Sequence, residues 1–366
     1  MKYFLLFILL LNICYNNQKL SIVEIKSQIE QTKINNIKNY PLITLGYITP
    51  WNKEGYDYVE KYSNKFDIIS PTWFELKPEE IDGEFQIILD GSNNVDSSYM
   101  KRLRNKNNNI LILPRLHVSF NDEKIFNIWF TKEVDQFIKV LERRIKYNKF
   151  DGYVFDCIKI WYDEKLLNKF SNNLLPKVSD LMKKLNKKFI ITMIPKYERN
   201  MKSILDKEKF KKISKYVDYI NIMTYDYDQY GENKDKYYSG PISWIKDTID
   251  FYVDKNDKDK NTLLKKILFG LPFHGYVYNK KTSEPIGVVN TRQFMDILNK
   301  GSDEQFTINY DEKEYEYYIS SADDKIISFP FIQFMEKRLE LSKELNIGGC
   351  GIWDIGNGKE GLLNPL

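Results

Sequence analysis

The stretch FDGYVFDCIKIW, residues 150–161, is an apolar run broken by two acids, Asp151 and Asp156. Its β-branched and aromatic content reads as a buried strand. Seven other runs share that character: LITLGYIT (42–49), FDIISPTWFEL (66–76), ILILPRL (110–116), KFIITMIP (188–195), VDYINIMTY (217–225), KILFGLPF (266–273) and IGGCGIW (347–353). Helical patterns lie between most of them, at 132–148, 163–186, 243–253 and 331–345. Nearly continuous apolar strands alternating with helices imply a parallel sheet covered on both faces. Eight such units imply an α/β fold, the (β/α)8 TIM barrel, over residues 42–366.

One interval breaks the rhythm. Residues 274–330, after the seventh strand, carry strand-like pieces such as QFTINYDEKEYEYYI (305–319). The interval is too long for a simple loop and too patterned for disorder. It reads as a small α+β insertion on the C-terminal side of the barrel, where such barrels keep their sites.

The remaining signals bound the function class. Lys and Arg number 55 against 51 acids, a net charge of +4, too balanced to indicate nucleic acid as a partner. Residues 1–18 contain an apolar run from Tyr3 to Leu11, too short to span a bilayer. It fits a cleaved signal peptide, with a short N-terminal anchor as the alternative. The mature chain is expected to have no membrane span and to be secreted, or held in the lumen of the secretory pathway. Residues 19–41 read as a polar leader, with Ile22, Ile25 and Ile29 hinting at a short helix. Cys157 and Cys350 are expected to be free, buried thiols on strands nearly opposite each other. The only two histidines, His117 and His274, make no metal set. Glycine-rich phosphate loops and nucleophile elbows are absent, and no cofactor is implied.

Strand parity places the odd acid. Tyr153, Phe155 and Cys157 share one face and suit the outer helices; Val154, Asp156 and Ile158 share the other. Asp156 is therefore expected inside the barrel near its C-terminal end, with a polar partner because a lone buried carboxylate is costly. The Tyr225 hydroxyl, or another polar group near the ends of strands four and six, is the expected partner. Asn221, Met223 and Tyr225 share a parity at the end of the sixth strand, and Trp353 closes the eighth, with room beside it from Gly349 and Gly351.

These residues resemble glycoside hydrolase family 18, the chitinase family. The family's fourth strand reads Asp-Gly-x-Asp-x-Asp-x-Glu, its sixth ends in Met-x-Tyr-Asp, and its eighth carries a Trp under the sugar. Asp151, Gly152 and Asp156 match the first motif, Met223, Tyr225 and Asp226 the second, and Trp353 the third. GLPFHGY (270–276) is similar to the seventh strand. Two positions depart: Val154 stands for the first inner Asp, and Ile158 for the Glu that donates the proton. General acid catalysis is worth roughly 10²–10⁴-fold, and isoleucine has no proton to give. The resemblance therefore implies binding of N-acetylglucosamine-type oligosaccharides without hydrolysis, through Asp156, Met223, Tyr225, Asp226 and Trp353, to which Tyr47 and Trp73 are added as aromatics at or just beyond strand ends. Tyr47, Trp51, Trp73, Tyr225 and Trp353 are the stacking candidates.

Within the family the likeness is narrowest to a chitinase-like branch that also lacks the acid, on LGYITPWNKEGYD (45–57), FDIISPTWFELK (66–77), GPISWI (240–245) and RLELSKELNIGGCGIWDIGNG (338–358). That branch is regarded as saccharide-binding and lectin-like, on the secretory and lysosomal route. Two alternatives stand beside it. One is an active glycosidase with a relocated acid, at Glu75, Asp163 or Glu164, with His117 as a rim donor. The other is a partner of a scavenger-type receptor protein, through the insertion.

Overall fold

The computed structural model describes residues 20–31, 33–196, 204–227 and 237–366. The expected signal peptide, 1–18, lies outside them. All eight runs are strands: Ile43–Ile48, Ile68–Pro71 continuing as Phe74–Ile81, Leu111–Ile112 continuing as Arg115–Val118, Gly152–Asp156, Lys188–Met193, Tyr219–Ile222, Ile267–Pro272 and Gly349–Trp353. Each pairs in parallel with the next, and Ile43 against Gly349 closes the ring. The second and third strands are interrupted at matching heights. Ile69 pairs with Ile112 but Phe74 with Leu116, so the second strand carries one extra residue. Such a bulge bends a strand at a barrel rim, and Pro114, with no N–H to donate, sits in the break.

The barrel has two cores. Leu45, Tyr47, Ile68, Leu113, Val154, Ile190 and Leu268 fill its interior. Tyr153, Phe155 and Cys157 face the larger core under the helices, so the parity of the fourth strand holds. Cys157 and Cys350 are free and buried. Gly152 and Gly349 have φ of +144° and +156°; a Cβ there would meet a neighbouring strand's carbonyl oxygen at 1.8 Å and 2.0 Å. Only glycine fits such positions.

Two elements were not legible as drawn. The second strand continues past the barrel into a hairpin with Glu84–Asp90. The short helix hinted at by Ile22, Ile25 and Ile29 is present as Ile22–Ile29, but it is docked on the domain rather than part of a separate leader. Ser21 and Glu24 form a capping box, and Ile22, Ile25 and Ile29 are buried against the turn Glu360–Leu363 and the helix Thr291–Lys300. A three-isoleucine stripe is one helical face, and tertiary packing supplies the stability an eight-residue helix lacks alone. No helix among the described residues is long and apolar enough to cross a membrane.

The insertion is the expected α+β unit: five antiparallel strands between Gly275 and Ser328 around Thr291–Lys300. A buried ion pair fastens it. Arg338, on the helix Ile332–Glu344, meets Glu316 at 2.9 Å. Glu316 accepts from the backbone of Ser239 and Gly240, which follow the sixth strand, while Arg338 donates to the Gly240 carbonyl at 2.8 Å.

Candidate functional site

Asp156 ends the fourth strand, points inward and is 1% exposed. Thr192 on the fifth strand donates its hydroxyl to Oδ1 at 2.5 Å. The Arg115 guanidinium pairs with Oδ2, and His117 Nδ1 lies 3.2 Å from the same oxygen. Both come from the third strand, in register with Val154 and Asp156. Burial pushes the carboxyl toward protonation, but Arg115, His117 and Thr192 together outweigh it and hold Asp156 well below the usual carboxylate range. The expected need for a partner was right and its location was not. Strands three and five supply the partners, because parallel neighbours in register bring inward side chains together, whereas the sixth strand lies two places round the barrel.

Above this network is a cleft of about 210 Å³. Tyr47, Asp156, Met223, Tyr225, Asp226 and Trp353 all line it, with Ile158 on the wall. Ile158 follows the strand rather than continuing it, opening the short helix Ile158–Trp161 with 45% of its surface exposed. Trp353 is held edge-on by Tyr47 at 5.5 Å, and the Arg115 guanidinium carbon lies 4.9 Å from the centre of its ring, within cation–π range. Asn221 donates to the Tyr47 hydroxyl at 3.0 Å. The space left by Gly351 is taken by this Asn221 side chain, not by the indole as expected. Gly270 serves Tyr225 in the same way, since a Cβ would come within 2.6 Å of the phenol ring. Asp226 has φ of +63° and its carboxylate meets His274 Nε2 at 2.8 Å.

A profile for glycosyl hydrolases family 18 matches residues 43–358. The chain belongs to this family. Among solved structures, it superposes on a chitinase from Chromobacterium violaceum ATCC 12472 with a TM-score of 0.71 at 16% identity, covering 88% of this chain and 97% of that one. A family 18 chitinase from Cycas revoluta in complex with (GlcNAc)3 gives 0.67 at 13%, with coverage of 88% and 97%. An uncharacterized glycosylase of Bacillus subtilis (strain 168), YvbX, is 24% identical over 198 residues. That match spans about half of each chain, 50% of this one and 52% of the relative.

Other candidates have local employment in this family 18 barrel. Trp73 is 1% exposed, donates its indole N–H to the Tyr56 hydroxyl at 2.8 Å and packs on Phe150. It is a core residue and offers no stacking face, correcting its assignment to the sugar site. Trp51 is 68% exposed beside a second cleft of about 600 Å³, which also meets Glu75, His117 and Arg115. Asp163 caps the helix Glu164–Lys169 through the Leu166 N–H at 3.0 Å. Glu164 pairs with Lys209 at 2.8 Å. Glu75 meets Lys77 at 2.8 Å, which holds its carboxyl below the ordinary value. At the opposite end of the strand, Asp151 accepts from Arg104 and from the Ile112 N–H, a brace between strands. Among the described residues no group of three or more His, Cys, Asp or Glu could hold a metal ion.

Sequence reading missed Arg115 and Thr192, while Asn221, placed by parity with Met223 and Tyr225, does line the cleft with them. Arg115 and His117 did carry a signal, two polar residues at period two on an otherwise apolar strand. Thr192 carried none, since single polar residues in strands are common.

Proposed function

We propose that this protein is a chitinase-like lectin that binds N-acetylglucosamine-type oligosaccharides at the barrel mouth without hydrolysing them. Ile158 carries the reading: it lines the cleft where the family motif has its proton donor. The acids that could replace it are engaged elsewhere. Asp163 caps a helix, Glu164 pairs with Lys209, and Glu75 is held ionised by Lys77, the wrong state for a general acid. What remains around the cleft, an indole, a phenol, an amide and hydrogen-bonding charges, suits a sugar's mix of apolar faces and hydroxyls. The Cycas chitinase solved with (GlcNAc)3 supports the substrate class by analogy of family. The same reading puts the chain in the branch of chitinase domain-containing protein 1, the stabilin-1-interacting chitinase-like protein, and in the secretory or lysosomal lumen.

The test is a pair of measurements on the purified protein. Calorimetry should detect binding of N-acetylglucosamine tetramer, and chromatography of the same mixture should show no shorter product. Turnover lost on Glu75→Gln would overturn the reading in favour of a relocated acid.

A further inference from the structure

The deep end of the cleft offers few acceptors: Asn221 Oδ1 has no partner among the described residues but is buried against Gly351. Asp156 has committed Oδ1 to Thr192 and Oδ2 to Arg115 and His117, and Ile158 and Ile194 are aliphatic walls. What it offers is donors. Arg115 is held at Nη2 by Asp156 and lies over Trp353, so its orientation is fixed before any ligand arrives. Its Nε and Nη1 have no hydrogen-bond partner among the described residues, and the side chain, 15% exposed, lines both the 210 Å³ and the 600 Å³ clefts. The Tyr225 hydroxyl is likewise without a partner among the described residues. Burial, reinforced by the Asp226 charge, keeps it protonated and hence a donor. The other carboxylate on the cleft, Asp226, has its Oδ1 on His274.

We propose that Arg115 is the group that reads the ligand, and that the site takes saccharides bearing a carboxylate, such as uronic-acid units. A carboxylate is an acceptor-only group and answers a donor-lined floor. Its hydrogen bonds to a guanidinium are charge-assisted and about twice as strong as neutral ones. The planar guanidinium, clamped by Asp156 and the indole, loses little freedom on meeting it. Asp156 is then a positioning residue that aims Arg115, not the acetamido-holding group the family motif implies. The inference rests on saccharide binding at the barrel mouth, and the experiment separates the two.

The probes are N-acetylglucosamine tetramer and the same tetramer with its C6 hydroxyls oxidised to carboxylates, titrated calorimetrically into the full protein. The oxidised tetramer should bind roughly tenfold tighter or more. Arg115→Gln with Asp156→Asn removes both buried charges together, and the two tetramers should then bind alike. Arg115→Lys, which keeps the charge and the fold but loses the planar donors, should reduce the preference at least several-fold. Equal or weaker binding of the oxidised tetramer by the unaltered protein refutes the carboxylate inference and leaves the lectin reading standing. A preference that survives both variants refutes Arg115 as its source. No binding of either tetramer refutes the inference and the lectin reading together.

Discussion

Asp156 and Glu316 are both 1% exposed and both face an arginine, yet the protein pushes their carboxyls in opposite directions. Asp156 is held well below the ordinary range. Glu316 is pushed up to about 7, by burial first, with Arg338 and two backbone N–H groups opposing. The difference lies in what else each guanidinium serves. Arg115 has one carboxylate, an open side toward the cleft, and help from Thr192 and His117. Arg338 is fully buried and also donates to the carbonyls of Gly240, Glu314, Tyr315 and Phe334, while the Glu314 charge lies close enough to raise Glu316 further. One pair orients a guanidinium toward the cleft; the other stitches the insertion to the chain leaving the sixth strand.

The comparison breaks first at the clamp. Arg338→Met should cost about 3–5 kcal/mol, the usual result of leaving a buried charge without its partner, plus several orphaned carbonyls. A thermal melt reads it, and a loss under about 1 kcal/mol would show that the pair is not a fastening.

Next is pH. Glu316 binds its proton more tightly folded than unfolded, so its contribution is present at acid pH and is lost as pH rises from about 4.5 through about 7. Over that window the loss is roughly 2–3 kcal/mol, and Glu316→Gln should flatten it. Asp156 has the opposite sign: its contribution is full above the unfolded carboxylate value of about 3.9 and is lost as pH falls below it. A melting temperature that climbs from pH 5 to 8 in the unaltered protein would contradict the Glu316 assignment.

At the barrel-mouth cleft, Trp353→Ala should weaken binding of N-acetylglucosamine tetramer by roughly 30-fold, about 2 kcal/mol for a central aromatic anchor. The variant should stay folded, since Trp353 is only partly buried. Unchanged affinity would leave the indole as a mere rest for Arg115. The smallest effect is expected at Asp163→Ala. Loss of the helix cap should cost about 1 kcal/mol with no change in sugar affinity or turnover, separating a capping acid from a catalytic one.

Legibility followed the same division. Eight strands, their order and the place of the insertion could be read because each is announced locally, by a buried apolar run or by a break in the repeat. The inward parity of Asp156 was readable because alternation along a strand is rigid. Trp73 misled because an aromatic at a strand end looks the same in sequence whether it stacks on a ligand or packs on Phe150. The docking of the Ile22–Ile29 helix was not readable because the elements it packs on lie about 270 or more positions away.

The sequence by itself determined the barrel, the family motifs, and an aliphatic residue, Ile158, beside the fourth strand's acid, since these depend on residue type and period. Only the tertiary structure decided who holds Asp156, that Arg115 lies on the Trp353 ring, and that Glu75, Asp163 and Glu164 are already engaged. Those are contacts between strands and loops distant in the chain. Their geometry is set by the register of parallel neighbours and by shared burial, which no local pattern encodes.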